Sequence, residues 1–145
     1  MTAADLAARY RCDHGLDVYV DAHGHIILRA GAVDGIQMPQ PLAEFVHTEL
    51  RSRGSPTPVI VNTATRNRTF LSHGADTLDE RPVRIFAALS AYQAIRTVAG
   101  ALIMLPGPHD PRREWLEEPR AELRPSFDDL VRITLSAAEL LPRAK

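Results

Sequence analysis

The sequence predicts an α+β fold, with a single mixed or mainly antiparallel sheet of about six strands and helices mainly on one face. Three observations carry that expectation. Apolar residues make up 45% of the 145 residues and charged residues 24%, which suits one globular domain over residues 1–145. Several short runs alternate apolar with polar residues, or are β-branched, as half-buried strands do. Two longer segments, 41–53 and 126–141, repeat apolar residues at helical spacing. There are no internal repeats and no low-complexity tracts.

The first helix covers residues 3–13. Thr2 is its N-cap, Leu6 and Tyr10 stand at i and i+4, and Gly15 stops it. Val18 and Val20 then alternate with Asp17, Tyr19 and Asp21 in a strand. His23-Gly24 makes a turn into a second strand over His25–Arg29. Gly31 and Asp34-Gly35 mark a further turn before a short strand, Ile36–Met38. Pro41 opens the helix over 41–53, where a missing N–H costs nothing. Its apolar face is read as Leu42, Phe45, Val46 and Leu50, so Phe45 and Leu50 are expected to be buried.

Thr57–Asn62 reads as a central strand and pairs through the polar turn Thr63–Asn67 with Thr69–Ser72. Residues 73–81 are expected to be a loop. Residues 82–99 divide into a helix to about Tyr92 and a strand after it. Gly100 turns the chain into the strand Ala101–Leu105. A proline-rich loop follows, then an extended piece around Trp115. The last helix covers 126–141, with Ser126 as N-cap and Asp128 and Asp129 in the first turn, where the helix dipole favours anions.

Composition narrows the function classes. The net charge of −1 argues against a generic basic coat for nucleic acid. Cys12 has no partner for an internal disulfide and is expected to pack on the first helix. The amino-terminal stretch carries acids and lacks an apolar run, and no stretch approaches a membrane span. A cytoplasmic location without a membrane partner is the expectation. The basic residues are 16 Arg against the single Lys145, an imbalance that runs along the whole chain and fits a GC-rich genome.

Motifs for nucleotide binding, a serine elbow and a nucleophile–base pair are missing from the sequence, so no catalytic residue and no cofactor is assigned. Two constellations remain. Asp21, His23 and His25 would converge on a divalent metal if they lay on one continuous strand, with His73 or His109 completing the set. The competing reading is a solvated hairpin, because Ala22–Gly24 has turn chemistry. The second constellation is Arg66 and Arg68 on the hairpin turn, with Arg112, Arg113 and Trp115 after the proline-rich loop. That is an anion-binding and stacking set, weighed against ordinary surface arginine and a core tryptophan. Were the preceding strands parallel neighbours, both loops would emerge on one rim.

The run GALIMLPGPHDPRREWLEEP at residues 100–119 follows the order IQMP, helix, PVIVN, arginine turn and TFLS. Together these resemble an uncharacterised family of short proteins from high-GC bacteria, often labelled primase/polymerase-like. The likeness spans most of residues 26–135 and implies a shared fold and an accessory module. The Asp-x-Asp metal pair of an active polymerase is missing, since Asp17 and Asp21 stand four apart and Asp128 and Asp129 are adjacent.

The reading that results is a non-catalytic binding or regulatory module. Its expected partner is a protein, with nucleic acid as the second class and a homodimer as the symmetric cover for an open sheet edge. The alternative is a small metal-dependent hydrolase or nucleotide-processing enzyme built on Asp21, His23 and His25.

Overall fold

The computed structural model describes residues 1–75, 87–97 and 100–141. Helix α1 runs over Ala3–His14 and begins with a full capping box: the Thr2 hydroxyl accepts from the Asp5 N–H, and the Asp5 carboxylate accepts from the Thr2 N–H. Gly15 closes it in the left-handed conformation, φ 61°, donating its N–H back to Arg11. Strands β1 (Val18–Val20), β2 (Ile26–Arg29) and β3 (Val33–Met38) follow, then α2 (Gln40–Ser52). After these come β4 (Val59–Asn62), β5 (Arg68–His73), β6 (Ile95–Arg96), β7 (Leu102–Leu105), β8 (Arg113–Glu117) and α3 (Phe127–Ala138). Ser126 caps α3 by accepting from the Asp129 N–H. The expected loop over 73–81 and the start of the helix expected at 82 lie largely outside the described residues. Residues 87–90 are helical, and β6 follows a turn at 91–93.

The strands form two antiparallel sheets, where the sequence predicts one sheet of about six strands. A three-stranded sheet has the order β1-β2-β7 and a five-stranded sheet the order β6-β3-β5-β4-β8. The chain changes sheets at Ala30–Ala32, between two strands that are consecutive in sequence. Here Gly74 donates to the Ala32 carbonyl, and a Cβ on Gly74 would lie 2.0 Å from the Gly31 carbonyl oxygen. Only glycine permits that approach of two backbones. Partner choice is the other reason: β2 pairs with β7, some 75 residues away, and local pattern says nothing about so distant a partner.

Alternation along the central strands sends side chains to two cores. Ile36, Met38, Val59 and Phe70 face α2 and α3. Val33, Ile60 and Leu71 face the three-stranded sheet and α1, meeting Leu16, Val18, Ile26, Leu28, Ile103 and Leu105. Helices therefore lie on both sides of the molecule, α1 against β1, and α2 and α3 across the five-stranded sheet. Within α2 the buried residues are Leu42, Ala43, Val46 and Leu50. Phe45 is 43% exposed, contrary to the sequence expectation. The buried stripe centres on Val46, and one residue of helix turns the side chain by about 100°. Phe45 consequently points into a shallow groove with Ile133 and Ala137 of α3. Cys12 is exposed rather than packed, because the buried positions of α1 are Ala7 and Tyr10. Among the described residues no helix is long and apolar enough to cross a membrane.

Candidate functional site

The turn between β4 and β5 is built by side chains that cap their own backbone. The Asn62 amide oxygen accepts from the N–H groups of Ala64 and Thr65, and the Thr65 hydroxyl accepts from Asn67. Arg66 is carried through the left-handed region, φ 68°, and its side chain is exposed. The loop after β7 holds Pro106, Pro108 and Pro111, which supply no N–H to a ladder. Asp110 folds its end by accepting from the Arg112 N–H at 2.8 Å.

Turn and loop are tied together. Thr63 donates its N–H to the Arg112 carbonyl at 2.9 Å and its hydroxyl to the Pro111 carbonyl at 2.7 Å. The route differs from the parallel-neighbour arrangement considered from the sequence. The strands that carry the turn and the loop belong to different sheets, and β8 runs antiparallel to β4. The tie nevertheless joins the turn that carries Arg66 to the loop end that carries Arg112 and Arg113. Arg113 stands 3.4 Å from the Asp110 carboxylate.

Arg68 does not share that junction. It lies on the helix-facing side of β5, 14% exposed and 3.8 Å from Glu44 of α2. Trp115 is held in a chain of hydrogen bonds: its indole N–H donates to the Tyr10 hydroxyl at 3.0 Å, which donates to the Pro106 carbonyl at 2.7 Å. The two rings meet edge to face, with centroids 5.9 Å apart. Burial pushes the Tyr10 phenol up, against the opposing effect of the Trp115 bond.

Asp21, His23 and His25 form the β1–β2 hairpin. One Asp21 oxygen accepts from the backbone N–H groups of His25 and His23, at 2.8 and 2.9 Å. Those bonds, that of His25 first, hold the carboxyl below its usual range. The carboxylate is thereby engaged in folding the turn, and the two imidazoles stand 6.2 Å apart. Among the described residues no three His, Cys, Asp or Glu side chains are grouped to hold a metal ion. The hairpin instead borders an open depression of about 630 Å³. His23 and His25 line it on one side, and His109, Asp110, Arg112 and Arg113 on the other.

A further pair is invisible in the sequence. His47 of α2 donates its Nε2–H to a Glu117 oxygen at 2.8 Å, while the other Glu117 oxygen accepts from the Thr57 N–H. The imidazole stands edge-on to Phe70. A β-bulge makes the pair: Val59 pairs with Glu117 but Ile60 with Trp115, leaving Leu116 as the extra residue. The bulge turns Glu117 from the face that holds Trp115 to the face that holds α2. A depression of about 410 Å³ beside it is bordered by Arg51, Ser55 and Arg120. Only the i, i+4 spacing of His47 and Arg51 hinted at a polar stripe there. Comparison of the chain with family models, with curated proteins and with solved structures finds no match.

Proposed function

We propose that this chain is a non-catalytic binding module that takes an acidic segment of a protein partner on the rim between residues 62–67 and 106–113. The observation that supports it is the double tie from Thr63 to Pro111 and Arg112, which joins the turn that carries Arg66 to the loop end that carries Arg112 and Arg113. Arg113 is already paired with Asp110, whereas Arg66 and Arg112 are exposed, and a carboxylate offers two acceptor oxygens to their guanidinium N–H groups. A peptide suits the site better than a nucleic acid. The chain carries a net charge of −1, and the exposed Glu114 and Glu118 follow the arginines of the loop closely in sequence, so an extended polyanion would meet repulsion beyond them.

The test uses a fluorescent peptide with two adjacent glutamates among neutral residues and a single-stranded oligodeoxynucleotide as probes. The wild-type chain binds the peptide more tightly than the oligonucleotide, and added salt weakens that binding. Arg66→Glu combined with Arg112→Glu lowers peptide affinity by at least about tenfold and leaves circular dichroism and melting unchanged. Equal binding by wild type and variant, or preference for the oligonucleotide, overturns the reading.

A further inference from the structure

The two sheets differ in width, and the difference leaves a step. The three-stranded sheet covers only part of the five-stranded one. Under the cover lie Val33, Ile60 and Leu71, with Gly35 so close to Ile103 that a Cβ there would stand 3.2 Å from its methyl. Beyond the cover the same face turns polar. Gln37, Thr69 and Asn62 occupy the next same-face positions on β3, β5 and β4, and with Asn67, Thr97 and Arg113 they line a cleft of about 290 Å³.

The edge of β7 overlooks this cleft. Arg29 donates its N–H to Asp17, toward β1, and Ala30 donates to Ala101, toward β7. Pairing directions alternate along a strand, so in β2 the even residues 26, 28 and 30 face β7. Their partners are Leu105, Ile103 and Ala101. The backbone groups of Leu102 and Met104 therefore point away from β2, and β2 is the only strand paired with β7 among the described residues.

Other sheet edges are blunted. β1 has three residues, β6 has two, and β8 carries the bulge at Leu116. β7 has none of these devices: four residues, no proline, no charge, and Leu102 59% exposed.

We propose that the outer edge of β7 receives an extended peptide as a fourth strand, its inward side chains polar and one of them a carboxylate that shares the Arg113 guanidinium with Asp110. The proposal rests on the protein-binding reading above and gives the partner a conformation. Four added residues span roughly 13 Å, enough to run along β7 from the cleft to the rim. Main-chain hydrogen bonds supply affinity and alternate side chains supply specificity. Apolar inward residues are disfavoured, because they would strip water from Gln37, Asn67 and Thr69 without replacing its hydrogen bonds.

The experiment selects a displayed random-decamer library on the full chain. Enriched peptides carry alternating polar residues and at least one acid. N-methylation of every second amide in such a peptide lowers its affinity by about tenfold in one phase of the alternation and hardly at all in the other. Leu102→Pro, which removes one outward N–H from an edge position, abolishes binding. Peptides insensitive to N-methylation in both phases overturn strand addition, and if Arg112→Glu still weakens them the rim reading survives alone. An empty selection overturns it, as does a dimer in light scattering that Leu102→Pro dissolves, because a second copy would then occupy the edge. Strand addition that ignores Arg66→Glu and Arg112→Glu would instead retire the rim reading.

Discussion

The two faces of the five-stranded sheet differ in how they are closed. Toward α2 and α3 the middle of the central strands is apolar, with Phe70, Val59, Ile36 and Met38 in one cluster with both helices, while the polar residues of that face, Asp34, Ser72 and Arg68, stand toward the strand ends. Toward the smaller sheet the apolar positions stop part-way, and amides and hydroxyls take over. The first face spends its side chains on stability. The second divides them between a core and a wet cleft, and that division is where recognition can be added without weakening the fold.

Neighbouring residues of β5 separate the two roles most sharply. Phe70→Ala, on the closed face, should cost about 3–5 kcal/mol in chemical denaturation. Thr69→Ala, on the cleft face, should stay within about 0.5 kcal/mol. Similar losses for the two would erase the distinction.

A smaller effect is expected where the cleft side joins α1. Tyr10→Phe removes the donor to the Pro106 carbonyl and leaves the Trp115 indole N–H without its acceptor, which should cost about 1–3 kcal/mol. The phenol is raised in the folded state, so the stability it contributes is complete below its unfolded value near ~10 and is lost as pH rises through the folded value. Melting followed from neutral to alkaline pH should show that loss in the wild type, and Tyr10→Phe should flatten it.

The smallest effect belongs to the β1–β2 hairpin. Asp21 is depressed in the folded state, so its contribution is present above the unfolded value near ~3.9 and lost as pH falls through the folded one. Amide exchange at His23 and His25, corrected for its intrinsic pH dependence, should accelerate across that acid range while the five-stranded sheet stays protected. Unchanged protection of these two amides would show that the carboxylate does not hold the turn.

Local features were legible in the sequence because their causes are local. Thr2 and Ser126 as caps, Gly15 as a stop, and the hairpin of β4 and β5 all depend on residues within a few positions. Features that depend on distant partners were not legible. The split into two sheets follows from β2 choosing β7, and the His47–Glu117 pair follows from one extra residue in β8. Phe45 shows a third kind of failure: the apolar spacing of α2 identified a helix, but the packing of α3 decided which way it turned. The arginine set is a grouping expected from local charge and turn chemistry. Only the fold could separate Arg68, which faces Glu44, from the others.

Trp115 is the only tryptophan in the chain, and it stands where α1, the proline-rich loop and β8 meet, two residues beyond Arg113. Its emission is therefore an intrinsic optical gauge of that junction. While the indole stays bonded to Tyr10 and packed on the apolar cluster, its spectrum reports a shielded ring. Any event that draws the loop from Tyr10 releases the ring toward water and moves the spectrum to the red. Titrations at the neighbouring rim can thus be read in unlabelled protein, with no dye placed near the surface under study.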